Sequence, residues 1–180
     1  DAAEAAAEYR WTIARDGDAF RRVVPSPNPV RIQQAALVRL LLENEQLVVC
    51  VGGGGVPVRI DDKGREIGMQ AVVDKDLASA ALGAELGADT LIMLTDGDYV
   101  SQDWGTPNQR DILTATPEAI AELEFEEGSM KPKVDAAIRF AKASGRALIG
   151  PLDRLDDLLA RRVGTEIRAD VPEGIVYVSR

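Results

Sequence analysis

Two hydrophobic rhythms alternate along this chain. Apolar residues at 32, 36, 37, 40 and 41 lie on one helical face and predict a helix over residues 30–44. Continuous apolar runs at 47–51, 91–94 and 147–149 instead read as short strands buried on both faces. The stretches 75–86 and 134–144 read as helices stopped by Gly87 and Gly145. Thr116 before Pro117 marks the N-cap of a short helix over 117–123. A further helix over 152–162 and terminal strands at 165–167 and 175–178 complete the series. At the amino end, 1–9 reads as a helix, and 11–14 with 20–24 as a hairpin around Asp16-Gly17-Asp18. Pro25, Pro27 and Pro29 then impose an extended connector, because proline neither continues a helix nor donates to a sheet. Helices alternating with apolar strands imply an α/β fold whose mainly parallel sheet is covered on both faces.

Composition narrows the chemistry. Of 180 residues, 46 % are apolar but only 4 % aromatic, so the core must be aliphatic. A formal charge of −9 without a large basic run argues against nucleic-acid binding, although a few converging cations would still hold a nucleotide. The chain has no histidine, which excludes Ser-His-Asp triads, Cys-His dyads and His-ligated zinc. Its chemistry must rest on Lys, Arg, acids, hydroxyls, backbone amides and an oxygen-bound metal. Cys50, the single cysteine, permits no internal disulfide; inside an apolar run it is expected to be a buried thiol, and it fits a reducing compartment. No run of about 20 apolar residues is present, so no membrane span is expected. The start at Asp1, directly within a helical pattern, reads as a truncated, processed or partial chain.

Ligands in such sheets collect at the carboxyl ends of strands. There the pattern places Gly52, Gly53, Gly54 and Gly55 after one run, and Thr95, Asp96, Gly97 and Asp98 after the next. Four glycines let backbone N–H groups approach an anion and lose much entropy if they only turn the chain, which favours a ligand loop. No Gly-Lys-Ser/Thr follows, so this is no Walker A loop, and Val56-Pro57-Val58 opens no helix. Asp74-Lys75-Asp76 heads a helix, where the acids serve either as caps or to aim Lys75 at phosphate; pattern alone leaves both readings open. Lys131 and Lys133 stand where positive charge opposes the helix dipole, which favours an anion site. Asp96 and Asp98 either bind Mg²⁺ or simply end a strand, the latter being preferred.

Six stretches, read in order, resemble the carbamate kinases of the amino-acid kinase family. They are 20–27, 52–58, 72–79, 94–105, 128–134 and Gly164-Thr165-Glu166-Ile167. The resemblance implies a three-layer αβα sandwich, with 1–24 a remnant of the protruding subdomain, 25–180 the nucleotide-binding domain, and the family's N-terminal part missing. It implies reversible phosphoryl transfer between ATP and carbamate, giving carbamoyl phosphate and ADP, with Mg²⁺ as cofactor. Lys75 would contact the transferring phosphate, Asp76 would organise the active-site lysines, and Lys133 would hold ATP phosphates. Thr95, Asp96, Asp98, Ser129 and Met130 would surround the nucleotide, and Gly52, Gly53, Gly54 and Gly55 the substrate phosphoryl group. A cytoplasmic homodimer serving arginine metabolism is implied for the intact protein, and little turnover for this chain alone. The alternatives are an amino-acid kinase with another acceptor, or a noncatalytic nucleotide-binding homologue. Departures from the family pattern are Ser101 in place of Tyr, Lys131 in place of Gly or an apolar residue, and Pro151 after Gly150.

Overall fold

The computed structural model describes residues 2–126 and 129–179. The chain divides into two compact units, Asp1–Asn28 with Gly52–Asp74, and Pro29–Val51 with Lys75–Arg180.

The first unit holds helix α1 (Ala2–Tyr9) and the antiparallel pair β1 (Thr12–Asp16) and β2 (Ala19–Val23). Trp11 stacks on Tyr9 at 4.8 Å between ring centroids, and Arg22 lies over the indole. The pattern predicts no second hairpin, yet β3 (Val58–Ile60) and β4 (Glu66–Gly68) form one. Asp61 closes its turn by accepting the N–H groups of Lys63 and Arg65 at 2.9 and 2.8 Å. Those bonds, the Arg65 N–H foremost, hold the Asp61 carboxyl below its ordinary value. Gly52, Gly53, Gly54 and Gly55 precede β3 and are exposed.

The second unit carries α2 (Ala35–Glu43), α3 (Lys75–Leu86), β5 (Thr90–Thr95), β6 (Val100–Gln102), β7 (Arg110–Ala115), α4 (Pro117–Ile120), α5 (Met130–Ala143), β8 (Arg146–Pro151), α6 (Leu155–Leu159), β9 (Thr165–Ile167) and β10 (Ile175–Tyr177). The sheet order is β10-β7-β9-β8-β5, with β6 paired to β7. It is mixed rather than mainly parallel. β5 with β8 and β7 with β9 run parallel, whereas β6 with β7, β7 with β10 and β8 with β9 run antiparallel. The reason is local. The five residues of α6 advance only about 8 Å, well short of the roughly 20 Å of the six-residue strand β8. The chain therefore re-enters the sheet beside the end it has just left, with Ile149 opposite Thr165.

The α/β class holds, and helices lie on both faces. Phe140, Ala136 and Ala137 of α5 and Ala80 of α3 are fully buried with Ile149, Ile167 and Ile112. On the other face Leu158 of α6 joins Leu148 and Val163. Thr116 caps α4 as expected, its hydroxyl accepting the Ala119 N–H at 3.2 Å. Helix α5 starts a turn before the expected residue 134, and Pro132 is tolerated because first-turn N–H groups need no intrahelical partner.

Residues 47–51 depart most from expectation. They form no strand: Leu47 is 97 % and Val49 95 % exposed, and Cys50 is an exposed free thiol. A strand exists only through its neighbours, and none of the described strands pairs with this run. Helix α2 likewise buries Ala35 and Val38 rather than its leucine face, because it is packed along its α3 side. Among the described residues, no helix is long and apolar enough to cross a membrane.

Candidate active site

Two helix starts converge. Gly83 of α3 leaves room for the Phe140 ring of α5, where a Cβ would come within 3.0 Å of the ring. This packing sets the first turns of α3 and α5 side by side. Asp76, in the first turn of α3, is nearly buried, its side chain 12 % exposed. Lys133, in the first turn of α5 and 16 % exposed, places Nζ 3.2 Å from Asp76 Oδ2 and 3.4 Å from Oδ1. Lys75 brings its own Nζ to 3.5 Å from the same Oδ2 while remaining 61 % exposed. One carboxylate thus holds two ammonium groups, 57 residues apart for the Asp76–Lys133 pair.

That arrangement resolves an electrostatic conflict. A lysine at a helix start opposes the macrodipole, and here two such starts meet. Asp76 offsets one positive charge and leaves a second, beside first-turn N–H groups that have no helical acceptor. Surplus charge beside helix starts is what a site for phosphate oxygens would need. Lys133 is screened from water and geometrically fixed; Lys75 faces solvent and can follow a ligand.

The remaining predicted residues fall in distinct places. Met130 is half-buried against the core at the start of α5, and Ser129 stands at the N-cap position without a side-chain capping bond. Gly128, predicted within the same motif, lies outside the described residues. Lys131 donates its N–H to the Glu126 carbonyl at 3.2 Å. Thr95 ends β5, its carbonyl accepting the Leu152 N–H at 3.0 Å, so the carboxyl ends of β5 and β8 are tied together. Asp96 is exposed beyond it, and Asp98 pairs with Arg154 at the N-cap position of α6. Its hydrogen bond to the Asp98 carboxylate holds the Arg154 guanidinium above its ordinary value. Nothing in the pattern singled out Arg154, because its partner lies 56 residues away. Ser101 is buried and donates to Asp111 at 2.7 Å, so the small residue at this position serves an internal network. The glycines 52–55 belong to the first unit, with open space where each Cβ would stand.

Among the described residues, no group of three or more His, Cys, Asp or Glu side chains could hold a metal. Isolated acids such as Asp96 suit a Mg²⁺ ion that keeps water and phosphate oxygens as ligands, not an all-protein cage.

The family model for the amino acid kinase family matches residues 5–150. The chain belongs to the amino acid kinase family. Within it, the carbamate kinase of Haemophilus influenzae is 49 % identical over 178 residues, covering 98 % of this chain and 57 % of that protein. The carbamate kinase of Thermoplasma acidophilum is 44 % identical over 170 residues, covering 91 % and 55 %. The structure of carbamate kinase from Giardia lamblia bound to AMP-PNP matches with a TM-score of 0.82 at 35 % identity, covering 94 % of this chain and 55 % of that one. This member of the amino acid kinase family therefore spans about half the length of the relatives it matches.

Proposed function

We propose that this chain forms the nucleotide-handling part of a carbamate kinase, which transfers a phosphoryl group reversibly between ATP and carbamate. The reading rests on the two ammonium groups gathered on Asp76, and the carbamate kinase relatives support it. In the direction of ATP formation, an oxygen of the ADP β-phosphate attacks the phosphorus of carbamoyl phosphate, and the P–O bond to the carbamate breaks. Negative charge is spread over three equatorial oxygens in the transition state, so positioning and neutralisation dominate, and no histidine is needed. Lys133 holds the nucleotide phosphates from a fixed, screened position. Lys75 reaches the transferring group, and Asp76 sets the directions of both amines. Thr95, Asp96, Asp98, Ser129 and Met130 line the nucleotide, and Gly52, Gly53, Gly54 and Gly55 offer backbone N–H groups to the acyl phosphate. Mg²⁺ bound to the nucleotide would supply charge neutralisation at its phosphates. The exposed, unpaired Cys50 favours a reducing, cytoplasmic setting, and the reading includes a homodimer for the intact protein.

Calorimetric titration of the 180-residue chain with Mg·ADP provides the test, together with coupled ATP formation from carbamoyl, acetylglutamyl and aspartyl phosphates by the protein carrying the relatives' full length. Lys133→Ala is expected to weaken Mg·ADP binding at least tenfold, and Lys75→Ala to lower transfer about 100-fold with a smaller effect on binding. Turnover of another acyl phosphate in preference to carbamoyl phosphate would reassign the acceptor. Unchanged Mg·ADP affinity in Lys133→Ala would remove the basis of the proposal.

A further inference from the structure

Glu166 of β9 lies opposite Leu148 of β8 and Thr114 of β7, so these three side chains share the sheet face that α6 covers. Its side chain is only 5 % exposed. Three guanidinium groups surround it. Arg146 Nη1 and Arg161 Nη2 stand 3.3 and 3.1 Å from Oε1, and Arg168 Nε stands 3.6 Å from Oε2. Arg168 also pairs with Asp170, 2.5 Å from Nη1 to Oδ1. Three positive charges face two carboxylates, leaving one positive charge uncompensated on a chain whose formal charge is −9.

A closed structural staple would use its donors, and this one does not. Among the described residues, Arg168 Nε is a buried side-chain donor without a hydrogen-bond acceptor, a state that costs free energy unless something else fills the role. Arg161 is held at φ 58°, a left-handed conformation uncommon for a residue with a side chain. Between these two arginines opens a cavity of about 130 Å³, walled on its apolar side by Leu148, Leu158 and Val163 and lined also by Thr114. A water needs only about 10–15 Å³ by the same measure, so there is room for a small organic molecule.

We infer that this cavity binds a short aliphatic monocarboxylate. The guanidinium fork matches a planar carboxylate, one negative charge matches the surplus, and the leucine and valine walls accept a hydrocarbon tail that a fully hydrated inorganic anion lacks. The site is built on β8, β9 and the end of α6, and it does not depend on the phosphotransfer reading.

The test is a titration of the ¹⁵N-labelled 180-residue chain with sodium butyrate, butyramide and sodium phosphate at constant ionic strength, followed by amide spectra. Butyrate is expected to shift the Gly164 and Leu148 signals saturably, with butyramide and phosphate at least tenfold weaker. Arg161→Gln, at a half-exposed position, is expected to weaken butyrate at least tenfold with the rest of the spectrum unchanged. Glu166→Gln, which removes the competing carboxylate and keeps its shape, is expected to tighten it. Absence of saturable shifts, equal binding of butyramide, tighter binding of phosphate, or an unaffected Arg161→Gln would each overturn the assignment.

Discussion

Asp76 carries more of the proposed chemistry than its size suggests, because each ammonium group leans on it in a different environment. Lys133 is screened and would be left short of counter-charge without it, whereas Lys75 remains solvated. Asp76→Asn keeps the shape and removes the charge. Loss of one partner from a largely buried pair costs several kcal/mol; with partial exposure we expect about 1–3 kcal/mol, measurable as a lower urea midpoint. The same substitution raises the local positive surplus, so Mg·ADP should bind at least as tightly as in the parent chain while transfer falls. That sign is opposite to Lys133→Ala, and weaker Mg·ADP binding by Asp76→Asn would mean that aiming the two amines outweighs the charge the carboxylate offsets. At this scale the sequence was informative where residues sat in a recognisable stretch, as Lys75, Asp76 and Lys133 do. It was silent on Arg154, whose relation to Asp98 exists only once β5 and β8 lie side by side.

Elements were legible where they are self-contained. The α3 and α4 ends follow from local rules: Gly87 takes φ 74° as a left-handed cap, and Thr116 caps with its own hydroxyl. Gly145 stops α5 for another reason. It is not in the left-handed region; instead, a Cβ there would stand 2.2 Å from the Asp89 carbonyl oxygen. Backbone cannot yield as a flexible side chain would, so Gly145→Ala is expected to cost about 2–3 kcal/mol and shift the urea midpoint accordingly. Gly54→Ala, with nothing within 4 Å, should leave stability almost unchanged; equal effects of the two would show that the α5–β8 junction relaxes freely. Residues 47–51 failed as an expected strand because hydrophobic composition reports a capacity for burial and supplies no neighbour. The mixed sheet was hidden for a related cause, since strand direction depends on how far α6 carries the chain, and a 152–162 helix would have carried it further than Leu155–Leu159 does.

For the whole molecule, the question is how an anionic chain receives an anionic ligand. A charge of −9, acting at about 20 Å on the single net negative charge of Mg·ADP, opposes approach by on the order of 2 kcal/mol in unscreened water. Contacts with the amines at positions 75 and 133 act at a few ångströms, and the latter is mostly withdrawn from solvent. Salt separates the two effects, because the screening length falls from about 30 Å at 0.01 M to about 8 Å at 0.15 M. Long-range repulsion is then largely lost, while short contacts to a sheltered ammonium persist. Mg·ADP affinity measured calorimetrically between 10 and 150 mM NaCl should therefore hold constant or rise, with the association rate rising alongside it. A protein that captures polyanions through distributed surface cations does the reverse and weakens steeply. A tenfold loss of affinity over that range would show that exposed cations govern binding, and the sheltered Lys133 would then not anchor the phosphates.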